Sequence, residues 1–155
     1  MIKTFTDSLY TDLVTHIKSY HEKGIIDLVP VVYGTLDEAL DAPGYQTVIC
    51  IPPPTVEIER NASRPTSVMV TLRYVISVFV ERAASVNAER GDNTNAAGMC
   101  WEITDAVLAK VVYTEINGFQ MFTERAYPVA RAEQTQRQYD IECYIETQTG
   151  YDSCS

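Results

Sequence analysis

The chain offers few side chains of the kinds that carry catalysis. Its two histidines, His16 and His21, stand five residues apart in a segment of helical periodicity, about 140° apart around a helix of 3.6 residues per turn and so on different faces. A helical metal-binding pair is spaced four, so these imidazoles are expected to face solvent. A Ser-His-Asp or Cys-His arrangement would have to borrow one of them on a surface helix, with nothing apolar at hand to exclude water. The four cysteines, Cys50, Cys100, Cys143 and Cys154, are far apart with no Cys-x-x-Cys among them, and three lie in apolar runs where a reduced thiol acts as a small core residue. The seven glycines are isolated, and none precedes a Lys-Ser or Lys-Thr pair as in a phosphate-binding loop. Asp37, Glu38 and Asp41, or Glu57 and Glu59, have the types needed for an acid–base pair. The first set sits in a short polar segment and the second shares one face of a short strand, where solvated surface is the ordinary outcome. Asn61-Ala62-Ser63 matches a glycosylation sequon, but with no secretory signal it is a chance match. The residues thus nominate no catalytic, cofactor or metal site, and no cofactor is expected.

Charge and composition narrow the partners. The 155 residues include 12 Lys and Arg against 21 Asp and Glu, a net charge of −9. An acidic chain is a poor match for nucleic-acid phosphates, which need a basic face, and for anionic membranes. No apolar run is long enough to span a bilayer, and the start MIKTFTDSLYTDLV mixes polar residues where a signal peptide needs a continuous apolar stretch, so a cytoplasmic product is expected. With 46% hydrophobic residues and a length at which a domain buries roughly 68–70% of its unfolded surface, the core can be built without a disulfide or metal.

The periodicities predict the elements. Phe5, Leu9, Leu13, Ile17 and Tyr20 form one stripe of a first helix that Thr4 or Thr6 can cap and Gly24 can stop. Ile25 to Tyr33, broken by Pro30, suits a turn and a short edge strand; Thr35 to Asp41 is short and acidic, and Pro43-Gly44 reads as a turn. Gln46 to Ile51 reads as a buried strand that Pro52, Pro53 and Pro54 end. Val56 to Glu59 alternates, and Asn61 to Pro65 reads as loop. Thr66 to Glu81 is the strongest strand signal, with Val68, Val70, Leu72, Tyr74, Ile76, Val78 and Val80 on one face and a mixed set on the other. Arg82 to Asn95 is polar and reads as a mobile connection. Ala96, Ala97, Cys100, Ile103, Val107, Leu108 and Val111 mark a second helix, capped by Asn93 or Thr94, with Trp101 beside the stripe. Asn117-Gly118 turns into a strand near Phe119 to Phe122, and Arg137 to Thr147 alternates with Tyr139, Ile141, Cys143 and Ile145 on its core side.

This order predicts one α+β domain over residues 1–155, a mainly antiparallel or mixed sheet with two helices packed on one face, and flexible ends near 1–4 and 149–155. Long strands leave unpaired edges. Acidic residues on such edges, for which Glu57, Glu59, Glu142 and Glu146 are the candidates, discourage random aggregation while allowing specific side-by-side assembly. Three classes stay open: an assembly protein, another homo-oligomeric or small-molecule-binding module, and a small enzyme of unrecognised type.

The layout resembles one known family. The opening helix FTDSLYTDLVTHIKSY, the strand YQTVICIPP, the long strand SVMVTLRYVISVFVER, the polar loop, the helix AAGMCWEITDAVLAKVV and the closing FQMFTERAYPVARAEQTQRQYDIECYIETQ are together similar to the tail-terminator (tail-completion, minor tail) proteins of Mu-like and other long-tailed bacteriophages, over Phe5 to Gln148. The resemblance implies a protein without enzymatic activity, assembled in the host cytoplasm and located in the virion tail or neck. It implies a homo-oligomer, a hexameric ring, on the head-proximal end of the tail tube, stopping polymerisation and carrying the joint to the neck or head-completion protein, with tail sheath as a further neighbour. DNA would pass through an acidic lumen without specific binding. A head-to-tail neck connector is the alternative within the same class. On this reading Pro52 and Pro53, and Arg82, Arg90 and Asp92 of the polar loop, join the four glutamates as expected subunit or partner contacts.

Overall fold

The structure is a computed structural model that describes residues 1–41, 46–61, 64–81, 96–116, 118–133 and 135–149. Several expectations fall outside these residues: the Pro43-Gly44 turn, the sequon's Ala62 and Ser63, the 82–95 connection with Arg82, Arg90 and Asp92, the caps at Asn93 and Thr94, Asn117, and the tail with Cys154.

The first helix, α1 (Ile2–Glu22), buries Phe5, Leu9, Leu13 and Ile17, the stripe that the spacing of four predicts. It begins at Ile2, ahead of Thr4 and Thr6, so neither threonine caps it. Its end is a Schellman motif: the Gly24 N–H donates to the His21 carbonyl and the Ile25 N–H to the Tyr20 carbonyl. This closure requires a left-handed residue, and Gly24 supplies it at φ +72°. A short strand β1 (Val31–Tyr33) leads to a second helix, α2 (Leu36–Asp41). Thr35 and Glu38 form a capping box, each side chain bonding the other's main-chain N–H at 3.3 Å. The expected acidic surface segment is therefore helical, held at its start by this reciprocal pair and by Asp37 and Glu38 in the first turn.

Strand β2 (Thr47–Ile51) runs parallel to β1, with α2 as the crossover that a parallel pair needs. After Pro52–Pro54, β3 (Thr55–Asn61) continues in line with β2, and both pair antiparallel with the long strand β4 (Arg64–Glu81). The prolines interrupt the ladder because they have no N–H to donate. Across them the register slips by one residue, so Ile49 faces Val78 but Val56 faces Leu72. That slip turns Val56 and Ile58 toward the helix side and Glu57 and Glu59 toward the other.

Beyond the third helix, α3 (Ala96–Val111), come β5 (Glu115–Ile116), β6 (Phe119–Val129) and β7 (Gln136–Thr149). Gly118, at φ +83°, joins β5 to β6 as the Asn-Gly signal predicts. The sheet order is β1-β2-β4-β7-β6-β5 with β3 beside β4. All pairs but β1–β2 are antiparallel. The fold is thus α+β with a mixed sheet, and α1 and α3 share one face as expected.

The core lies between those helices and the sheet. Leu9, Leu13, Ile103 and Val107 pack on Leu72, Ile76, Val78 and Ile141, all without measurable exposure, and each such side chain contributes roughly 1.5–3 kcal/mol by leaving water. Tyr74, buried in this layer, keeps its hydroxyl satisfied by Thr6 Oγ1 at 2.9 Å. On the far face, α2 covers one end only, where Leu36 and Ala39 close over Val48, Cys50 and Phe79. Ile76→Ala should therefore cost about 2–5 kcal/mol in urea unfolding, whereas Val75→Ala, one residue along on the open face, should stay within about 0.5 kcal/mol.

Candidate assembly surface

The open face of the sheet carries a connected set of charged side chains. Glu57 and Glu146 flank Thr71 in one row across β3, β4 and β7, and Glu59 lies beside Met69 in the next. Glu142 faces Val75. The four candidate glutamates thus share one face, as the alternation requires. Their strands differ in part from the expectation: β3 is an edge, while β7 pairs with β4 on one side and, from Gln138 to Ile145, with β6 on the other, so Glu142 guards no edge and Glu146 lies one residue past the last β6 pair. Alternation reports which face of a strand is wet; it carries no information about lateral neighbours.

Arginines tie these carboxylates together. Arg73 donates from Nε to Glu57 at 3.0 Å and from Nη1 to Glu124 at 2.6 Å, spanning β3, β4 and β6. Its guanidinium lies 4.9 Å from the centroid of the Tyr144 ring, which stacks on Phe122 at 5.3 Å. Arg125 grips Glu142 with two bonds, 2.7 and 3.0 Å, while the Tyr127 hydroxyl donates to the same carboxylate at 3.3 Å. Asp140 accepts from Ser77 and Gln138, each at 2.9 Å. Exposed pairs of this kind contribute little singly, but a bidentate arginine within a network fixes geometry. Residue spacing alone missed Glu124, Arg125 and Tyr127, because a bulge between Thr123 and Arg125 breaks the alternation of β6 and hides its second half; alternation puts Arg73 and Tyr144 on the outer faces of their strands, but their role depends on which strands are neighbours.

Pro52 and Pro53 sit at the seam between β2 and β3. Pro53 and Pro54 form one wall of a groove of about 490 Å³ whose other sides are Ile2, Thr6, Tyr33 and Ile51. The exposed Val56 and Ile58 lie farther along the same arm.

The candidate chemical groups are structural. His16 is half-buried, contrary to expectation: its Nε2–H donates to the Ala106 carbonyl at 2.8 Å and its ring lies 4.4 Å from that of Tyr20, so it ties α1 to α3. His21 bonds the Ile26 carbonyl through Nδ1 at 3.2 Å. Cys50, Cys100 and Cys143 are buried and unpaired, as the apolar runs predict. Burial pushes the first two thiols up to about 11 and Cys143 to about 12, which keeps them protonated and inert at neutral pH. Among the described residues no group of three or more His, Cys, Asp or Glu could hold a metal ion, and no helix is long and apolar enough to cross a membrane.

No protein-family model matches this sequence, and no curated protein matches it. The fold itself has a counterpart. A chain from a solved structure described as the virion of a native gene transfer agent (GTA) particle superposes with a TM-score of 0.59 at 14% identity, covering 95% of this chain and 96% of the other. At that identity the likeness establishes a shared fold, matched from end to end.

The Arg125 bonds, with lesser help from Tyr127, hold the Glu142 carboxyl below its ordinary range. Its contribution to stability is therefore present above the usual carboxylate pKa and disappears as pH falls through the lowered folded-state value. In an NMR titration, Arg125→Ala should raise the Glu142 midpoint toward the ordinary carboxylate range; an unchanged midpoint would show that the ion pair does not set it.

Proposed function

We propose that this protein is a virion structural component that closes into a ring, a hexamer, on the head-proximal end of a phage-type tail tube. It ends tube growth there and carries the joint to the neck or head-completion protein. The observation that supports this reading most is the end-to-end fold likeness to a chain of the gene transfer agent virion. The sequence pattern, resembling tail terminators over Phe5 to Gln148, points the same way.

The physical logic is termination by mismatch. One ring face copies the end of the tube, and the other lacks the surface that would accept a further tube subunit. The net charge of −9 suits a channel through which DNA slides without adhering, since like charges repel. Pro52, Pro53 and the glutamates of the open face are the contacts we assign to neighbouring subunits, tube or sheath, and Arg82, Arg90 and Asp92 those we assign to the neck side.

Native mass spectrometry over a concentration series should give a closed oligomer, a hexamer above all. Adding the protein to polymerising tube protein should fix tube length, with the chain at one end only. Binding to a portal-side complex in place of tube ends would make it a connector; a monomer that leaves tube growth untouched would overturn the reading. Shortening the 82–95 connection should abolish docking to the neck while leaving the melting temperature unchanged.

A further inference from the structure

Two grooves flank the sheet at opposite ends of its strand order. One, of about 870 Å³, lies between the outer side of α1 and β1. Tyr10, Val14, Lys18, His21 and Glu22 line its helix wall, and Leu28 and Tyr33 stand opposite. Val14, Leu28 and Tyr33 are 37%, 61% and 50% exposed, high values for side chains of this size. The edge of β1 also faces outward. The Pro30 carbonyl and the Gly34 N–H bond to β2, so by strand alternation Val31 and Tyr33 direct their main-chain groups away from it. The other edges are blunted, β3 by Glu57, Glu59 and Arg60, and β6, beyond the two residues that β5 covers, by its bulge and Pro128. The VVY of β1 carries neither charge, bulge nor proline.

The opposite flank presents the chain's single tryptophan. Trp101 is 48% exposed on α3. With Thr104, Asp105 and Leu108, three, four and seven residues on, it forms one stripe beside a groove of about 380 Å³ closed by Ala126 of β6 and Tyr139 of β7. Neither Asp105 nor Lys18 has an ion-pair partner in the described structure.

We propose that these flanks are the two halves of one contact between copies: Trp101 of one copy seats in the α1–β1 groove of the next, bringing its Asp105 onto that copy's Lys18. The proposal rests on the ring reading and names its interface. A tryptophan flanked by apolar surface is the residue type that dominates such contacts. Glu22 lines the same groove one turn beyond Lys18, so the complement is the single pair of the Asp105 carboxylate, one turn along α3, with the Lys18 ammonium, which matters for a chain whose copies otherwise repel at −9 each. Because the halves are different surfaces at opposite flanks, the contact is head-to-tail, and a closed ring satisfies all of them.

The full chain tests this directly, since its tryptophan fluorescence comes from Trp101 alone. Emission should shift to the blue as native mass spectra show the oligomer forming. Asp105→Lys and Lys18→Asp should each weaken assembly at least about tenfold through like-charge contact, and the double reversal should restore it. Both positions are exposed, so circular dichroism and melting temperature should not move. An oligomer whose emission stays solvent-like and that ignores both reversals overturns the contact and leaves the ring reading standing. A chain monomeric at every concentration overturns the contact, and the ring reading falls with it only when tube ends also fail to collect copies.

Discussion

Everything in this molecule is arranged around the need to pair both edges of one eighteen-residue strand. The length of β4 exceeds what any single neighbour on its first side covers, so β2 takes the end toward Glu81 and β3 the beginning, while β7 runs along its second side from Val68 to Glu81. Its faces divide as firmly as its edges. The face carrying Leu72, Tyr74, Ile76 and Val78 is closed by α1 and α3, and the opposite face is closed only where α2 reaches Phe79. The exposed remainder, from Val75 toward β3, is where charged side chains had to be organised in pairs, since a bare pleated surface of that size would aggregate.

Much of this was legible in the sequence where a single period ran unbroken. The spacing of four in α1 and the alternation in β4 and β7 each report one buried face, and the structure buries those residues, Tyr20 and Tyr139 only in part. The signal failed where geometry interrupts the period. The bulge at Thr123 shifts the phase of β6, so its second half carries no continuous pattern. The capping box Thr35–Glu38 marked α2, but six residues are too few for a helical stripe to outweigh an acidic composition. Lateral order was not written in any period: β7 lies in the interior of the sheet because β6 returns against it.

The candidate surface divides in the same manner. Alternation placed Glu57, Glu59, Glu142 and Glu146 on a wet face, but their grouping with Arg73 and Arg125 depends on which strands are neighbours, a tertiary fact. His16 shows the limit of helical geometry taken alone. Its angle from His21 is as expected, yet α3 arrives beside it and turns an imidazole assigned to water into a link between helices. Trp101 stood out in the sequence as a companion of the buried stripe, and half of it remains outside because the stripe is full.

The three prolines between β2 and β3 have a mechanical meaning. Hydrogen bonds of a ladder share a shearing load, and the ladder along the first side of β4 is interrupted at Pro52–Pro54. A pull on β3 therefore reaches the body of the sheet through β4, with no direct ladder bond to β2 to relieve it. The arm formed by β3 and the first half of β4 is thus held to the sheet laterally by the ladder between β4 and β7, with the proline segment as a covalent tether that carries no ladder bond.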